Sequence, residues 1–340
     1  MKNLFTTAAI FLLTSVSFGQ LQLNGAGATF PYVIYSKWFD VYKKKTGIQF
    51  NYQSIGSGGG IKQVIEGTVD FGATDGPMSD EQLAEAKTKQ GTDVLHIPTV
   101  MGAVVATYNL PEISADLKLP PDVLAGIFLG EVTKWNDAKI AAVNKDRTLP
   151  NKPIIVVHRS DGSGTTFIFV DYLTKVSETW KSKVGKGTSV NWPVGLGGKG
   201  NEGVAGLVKQ TDGSVGYVEL AYAVKNNLPY ASIQNKEGSF VKPSLESVSA
   251  AAMGESKSLP ADFRVSITNA NGKGSYPISG FTWLLVYAKQ KDKTKGKALV
   301  DFLKWAVTDG EQFAAELLYA PLPKDVVKLC EKKIASISLP

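Results

Sequence analysis

Cysteine and histidine are nearly absent: Cys330 is the only cysteine, and His96 and His158 are the only histidines, among 340 residues. A lone cysteine makes no internal disulfide. No histidine pair stands at ligand spacing and no cysteine cluster exists, which removes the common zinc sites. Apart from the N-terminal segment, no apolar run reaches the ~20 residues that a membrane-spanning helix needs. The basic residues are scattered, as at Lys43 to Lys45, Lys291 to Lys297, Lys332 and Lys333. No basic stripe interleaved with aromatics appears, so nucleic acid is not an expected partner.

What is present is ordinary globular composition, with 43% hydrophobic and 20% charged residues, in a chain long enough for two compact domains. Residues 1–19 read as a secretory signal: Lys2 is the positive region, Leu4 to Phe18 the apolar core, and Ser17-Phe18-Gly19 the small-residue cleavage site before Gln20. No lipid-attachment cysteine lies near it. The expectation is an exported protein of a bacterial periplasm, not lipid-anchored. The formal charge of +6 falls to +5 without Lys2, a modest field that draws small anions.

The centre of the chain is His158-Arg159-Ser160-Asp161-Gly162-Ser163-Gly164-Thr165-Thr166. Pro153 to Val157 precedes it as a predicted strand, and Thr165 to Lys175 follows as a helix with Phe167, Val170, Leu173 and Val176 at helical spacing. The first turn of a helix leaves N–H groups unpaired and carries partial positive charge, which suits oxyanions. Arg159 adds a planar fork for two anion oxygens. The plainer alternative is a strand-to-helix turn in which Ser163 is only a cap. No Gly-Lys-Ser/Thr follows, so the loop is not a Walker A motif.

Two more small-residue loops stand before predicted helices. Asn24 to Pro31 follows a strand at Leu21 to Leu23, with Thr29 as a cap for a helix over Tyr32 to Lys45 that ends at Gly47. Ser54 to Gly60 follows a strand at Ile48 to Tyr52 and opens a helix over Ile61 to Glu66. Val69 to Asp75 is a short strand ending on an aspartate, and Ser79-Asp80-Glu81 caps the next helix. This alternation predicts an α/β fold with ligands at the carboxyl ends of strands. Two long apolar strands, Ile97 to Tyr108 and Pro277 to Tyr287, bracket a second domain as its crossings. Within it, Trp135 is a core anchor, a helix over Gly203 to Lys209 precedes a strand over Ser214 to Glu219, and residues 235–275 read as loop-rich. Helical segments at Asp292 to Glu311 and Glu311 to Leu318 return to the first domain. Gly195, Gly197 and Gly200 match Gly-x-Gly-x-x-Gly, yet no clear strand precedes them, so a dinucleotide cofactor is not expected and no other cofactor is implied.

Four ordered motifs, Gly-Ala-Gly-Ala-Thr-Phe-Pro (25–31), Gly-Ser-Gly-Gly-Gly (56–60), Asp-Phe-Gly-Ala-Thr-Asp (70–75) and Arg-Ser-Asp-Gly-Ser-Gly-Thr-Thr (159–166), together resemble the periplasmic phosphate-binding proteins of high-affinity phosphate ABC transporters. The similarity spans essentially the whole mature chain, including Trp192-Pro193 and Gly216-Tyr217-Val218-Glu219. It implies a two-lobed periplasmic-binding-protein fold of type II, with mixed central sheets flanked by helices and a two-strand hinge. Domain I then holds 20–104 and 278–340, and domain II holds 105–277. By motif, the resemblance implies that Thr29, Phe30, Ser57, Asp75, Arg159, Ser163, Gly164 and Thr165 bind phosphate, and that Asp161 braces Arg159. Gly58 departs from the serine common in relatives, losing a hydroxyl. The implied partners are inorganic phosphate and the membrane permease subunits of the transporter, with the protein a monomer and not an enzyme.

Asp75 is the implied selectivity residue. A carboxylate facing an anion repels it unless the ligand has a proton to donate, as phosphate does and sulfate at neutral pH does not. Two alternatives remain open at this level: a binding protein for another oxyanion such as sulfate, molybdate or arsenate, and a phosphatase or esterase with Ser163 as nucleophile and His158 as base. The second lacks a Gly-x-Ser-x-Gly elbow.

Overall fold

The structure, a computed structural model, describes residues 21–113, 116–255 and 259–340; the predicted signal lies outside them. Strand β1 (Gln22–Gly27) turns into helix α1 (Tyr32–Thr46), and β2 (Gln49–Ser54), α2 (Ser57–Glu66), β3 (Phe71–Thr74) and α3 (Asp80–Gln90) continue the alternation. Ser79 caps α3 in a reciprocal capping box with Gln82. Gly47 closes α1 in the left-handed conformation, as the sequence predicts. Next come the long β4 (Val94–Tyr108), β5 (Lys118–Leu119), α4 (Pro121–Phe128) and α5 (Ala138–Val143). Then β6 (Ile155–Arg159), α6 (Gly164–Val176), α7 (Glu178–Lys183), β7 (Leu196–Gly198), α8 (Gly200–Gln210), β8 (Ser214–Glu219) and α9 (Leu220–Lys225) follow. The chain ends with β9 (Ser232–Gln234), β10 (Phe240–Val241), α10 (Leu245–Glu255), β11 (Ser279–Tyr287), α11 (Lys293–Ala306) and α12 (Lys324–Ala335).

The expected mixed central sheets are continuous with one another, giving 8 strands in the order β2-β1-β3-β11-β4-β8-β6-β7. The reason is β4, whose residues up to Ala103 pair with β11 and whose residues from Val104 pair with β8. The first half, β2-β1-β3, is parallel, and so is the second, β8-β6-β7. Within the sheet they are joined through antiparallel pairs, β3 with β11, β11 with β4 and β4 with β8. A small sheet of β10, β9 and β5 stands apart.

Aromatic side chains fix the helices on each half. Phe39 of α1 stacks on Phe50 of β2 at 4.7 Å, and Phe302 of α11 meets Phe50 at 4.4 Å. In the other half, Phe169 of α6 stacks on Tyr217 of β8 at 4.4 Å, Phe128 of α4 meets Phe169 at 4.7 Å, and Trp192 closes over Tyr217 at 5.6 Å. Burying each such ring contributes roughly 1.5–3 kcal/mol. Trp135 is fully buried, and its indole donates to the Gly213 carbonyl.

Several element boundaries differ from the sequence reading. β1 runs on to Gly27 because Gly25-Ala26-Gly27 pair with both β2 and β3. Helices α2 and α8 start at Ser57 and Gly200, so the glycine-rich loops are themselves the first helical turns. Residues 235–275 include the helix α10, and α12 follows the helical segments read from the sequence. Past Ala306 the chain makes short 3-10 turns at Asp309–Phe313 and Ala315–Leu317 instead of continuing as helix.

Candidate functional site

The carboxyl ends of β1, β3 and β6 and the amino ends of α2, α6 and α8 converge between the two halves of the sheet. Close backbone approach makes this crowding feasible. A Cβ on Gly60 would lie 2.5 Å from the Gly27 Cα, so α2 rests directly on the end of β1. Gly56, with φ of +90°, turns β2 into α2, and a Cβ there would collide with Asp161 Oδ2.

Ser57 and Asp75 meet at this point. The Ser57 hydroxyl accepts from the Asp75 backbone N–H at 3.2 Å and from the Gly164 N–H at 3.0 Å, and faces Asp75 Oδ2 at 3.5 Å. Asp75 is 1% exposed, and its Oδ1 accepts from the Thr282 hydroxyl at 2.7 Å. Burial pushes its carboxyl up to about 7, against the Thr282 bond, the Arg159 charge and the Ser57 bond, which favour the ionised form.

Arg159 leaves β6 fully enclosed, with its Nε and Nη2 bonded to the two oxygens of Asp161 at 2.7 and 2.5 Å. Its Nη1 is buried and has no hydrogen-bond partner among the described residues. Burial works to raise Asp161, yet the Arg159 bond and charge and the Gly200 N–H hold it below the usual carboxylate range. The Tyr217 hydroxyl accepts from the Arg159 N–H at 3.1 Å and pairs with Thr166 Oγ1 at 2.6 Å, so the aromatic core below positions the loop. Ser163 does cap α6: its hydroxyl oxygen accepts from the Thr166 N–H at 3.0 Å, which leaves the hydroxyl proton for another acceptor.

Thr29 is not the cap of α1 that the sequence predicts; no side chain caps that helix. Its hydroxyl accepts instead from the Asn201 side chain at 2.7 Å, and the same Asn201 Nδ2 donates to Thr165 Oγ1 at 3.1 Å. The Thr29 carbonyl accepts from the Tyr222 hydroxyl at 2.6 Å, and the Phe30 carbonyl from Tyr319 at 2.7 Å. Gly58, where a side-chain hydroxyl is missing, spans the gap with its backbone N–H, which donates to the Gly162 carbonyl at 2.9 Å.

Thus Thr29, Ser57, Asp75, Gly164 and Thr165 come together in one buried cluster. Arg159 and Asp161 form its charged flank, Ser163 caps the helix beside it, and Phe30 is fully buried at its base. Sequence reasoning missed Asn201, Tyr222 and Thr282. Only Asn201 carried a signal, since it directly follows Gly200 of the Gly-x-Gly-x-x-Gly pattern.

The arrangement does not assemble a serine hydrolase. The His158 ring stacks on Trp192 at 4.9 Å and its Nδ1 pairs with the Arg159 carbonyl, while the described hydrogen bond of the Ser163 hydroxyl is to Thr166. No group of three or more metal-ligating side chains occurs among the described residues. The Gly195, Gly197 and Gly200 pattern spans β7 and the start of α8 and is not a turn following a strand.

The family model of the PBP superfamily domain matches residues 14–310. Phosphate-binding protein PstS of Pasteurella multocida is 48% identical over 328 residues, covering 96% of this chain and 94% of that protein. The PstS of Haemophilus influenzae is 48% identical over 320 residues, covering 94% of each. The solved high affinity periplasmic phosphate-binding protein PfluDING shares the fold at 20% identity, with a TM-score of 0.72 over 94% of this chain and 100% of that one. The chain belongs to the PstS family of phosphate-binding proteins.

Proposed function

We propose that this chain captures inorganic phosphate in the cleft and delivers it to the permease of an ABC transporter. Arg159 carries the reading: a fully buried guanidinium, held by Asp161, keeps one N–H-bearing nitrogen without a partner among the described residues. An unpaired buried donor costs about 1–3 kcal/mol, and a tetrahedral oxyanion removes that cost. Thr29, Phe30, Ser57, Ser163, Gly164 and Thr165 supply hydroxyl and backbone donors, with partial positive charge from the α2 and α6 starts.

Asp75 supplies the opposite requirement, an acceptor. Ionised, it needs a proton from the ligand, which dibasic and monobasic phosphate carry and sulfate lacks. Leaving a buried, charged acceptor unpaired against sulfate costs several powers of ten in affinity.

The change of partners along β4, from Ser279 at Ala103 to Glu219 at Val104, supports a hinge at that point. Residues 20–104 with 278–340, and 105–277, then form two lobes that close on the ligand. The Tyr222, Asn201 and Gly58 bonds join the two faces. The protein works in the periplasm, after removal of residues 1–19, and as a monomer; family membership supports that compartment.

Calorimetric titration of residues 20–340 with phosphate and with sulfate at neutral pH tests the reading. Heat with phosphate and none with sulfate is expected. An Asp75→Asn protein that still excludes sulfate and binds phosphate unchanged overturns the role of Asp75, and the absence of heat with phosphate overturns the function.

A further inference from the structure

We infer that Thr282 is a positioning residue that sets the pH below which the cleft stops rejecting fully deprotonated oxyanions. The inference rests on the phosphate reading above and concerns how that site chooses among anions.

The two oxygens of Asp75 have different neighbours. Oδ1 receives the Thr282 hydroxyl proton at 2.7 Å. Oδ2 faces the Ser57 hydroxyl at 3.5 Å and lies against the first turn of α6, where a Cβ on Gly164 would come within 2.5 Å of it. Oδ2 is therefore the oxygen turned toward the donor groups of the cleft.

Thr282 is fully buried and has one hydroxyl proton to give. Its other acceptor, the Thr74 carbonyl, stands at 3.4 Å, so the bond to Asp75 is the short one. The backbone fixes the donor as well. β11 shifts register between Thr282 and Trp283, and the Thr282 carbonyl accepts from Thr99 at 3.2 Å. The register step is made by Thr99, the extra residue on β4, so β11 itself runs on without an insertion at Thr282, and a β-branched residue holds few rotamers.

With Oδ1 occupied, a proton that binds Asp75 sits on Oδ2. The charged form then presents an acceptor to the cleft and requires a proton on the ligand; the neutral form presents a donor and admits a sulfate oxygen. Discrimination switches with the ionisation of this one group. Arg159 of β6, Ser57 of α2 and Thr282 favour its charged form, while burial opposes it. Tyr35 of α1, Tyr52 of β2, Glu219 of β8 and Tyr319 also surround it electrostatically. Glu219 is itself held well above the usual carboxylate range by burial. Of the three groups that favour charge, Thr282 is the one whose removal leaves the proposed donors to phosphate in place.

The test is sulfate and phosphate titration calorimetry from pH 5 to pH 9 on the unmodified protein and on Thr282→Val, Thr282→Ala and Thr282→Ser. Losing a hydrogen bond to an ionised group moves the midpoint of sulfate admission up by about one pH unit, a tenfold gain in sulfate binding at fixed pH on the alkaline side. Valine and alanine are expected to shift it and serine to restore it, with phosphate bound by all four. Valine and alanine proteins that bind phosphate but admit sulfate at the unmodified midpoint overturn the inference, as does sulfate binding by none of them at any pH. Absence of phosphate binding by the unmodified protein overturns the phosphate reading instead. A melting curve on each variant reports folding, and the alanine variant carries the test if the valine one does not fold.

Discussion

The Ser57 hydroxyl, on the first turn of α2, receives the backbone N–H of Gly164, on the first turn of α6, at 3.0 Å. The two residues are 107 apart in sequence, and through them two helix amino ends face a common point. The Asp75 N–H uses the same oxygen, so one serine on α2 organises two donors, one just past β3 and one at the start of α6.

Replacing Ser57 with alanine strands two buried N–H groups. Phosphate affinity is expected to fall by about tenfold to a hundredfold, read by calorimetry. An affinity within a factor of two of the parent would show that this oxygen organises nothing the ligand uses.

Gly164→Ala is expected to be more severe. Its Cβ would sit 2.5 Å from both Asp75 Oδ2 and Ser57 Oγ. Neither atom is at the end of a long flexible chain, so the cleft must spread to admit it. A loss of phosphate affinity of about a hundredfold or more is expected, with far-ultraviolet circular dichroism unchanged.

Tyr222→Phe removes the hydroxyl that holds the Thr29 carbonyl at 2.6 Å from the other face of the cleft. Because the phenol touches a backbone carbonyl and not the proposed anion donors, affinity is expected to weaken about fivefold to thirtyfold. The ratio of phosphate to sulfate affinity stays as it was. A changed ratio would place Tyr222 among the selecting groups.

Stability should fall with rising pH through a buried carboxyl remote from the donors. Burial of the Glu311 carboxyl pushes it from 4.5 up to about 8 in the folded protein. Between those values the folded state holds a proton that the unfolded chain has released, so raising the pH favours unfolding. Glu311→Gln is expected to match the parent in unfolding free energy from denaturant melts near pH 4.5 and to exceed it at pH 8 by about 1–3 kcal/mol. A stability difference that does not grow across this range would show that Glu311 is ionised in the folded protein.

The local signals were legible where chain chemistry is self-contained. Ser79 with Gln82, Gly47 after α1, Ser163 before α6 and the apolar run of β4 each declare their structure within a few residues. Helix α10 did not, because Ser247 to Ala252 is a run of mostly small residues without a strong apolar stripe. Thr29 reads locally as a cap, yet Asn201, 172 residues later, takes its hydroxyl. Thr282 sits inside an apolar strand and reveals nothing until the pairing of β11 with β3 brings it to Asp75, 207 residues away. Polar residues whose partners come from distant strands look like ordinary sheet residues in one dimension.

β11 sits between β3 and β4 and comes late in the chain. Without it the facing edges of β3 and β4 would lack their partner, and an open strand edge is a template for pairing with a second chain. The same strand delivers Thr282 to Asp75, so the strand that fills the centre of the sheet also supplies a partner to the anion site.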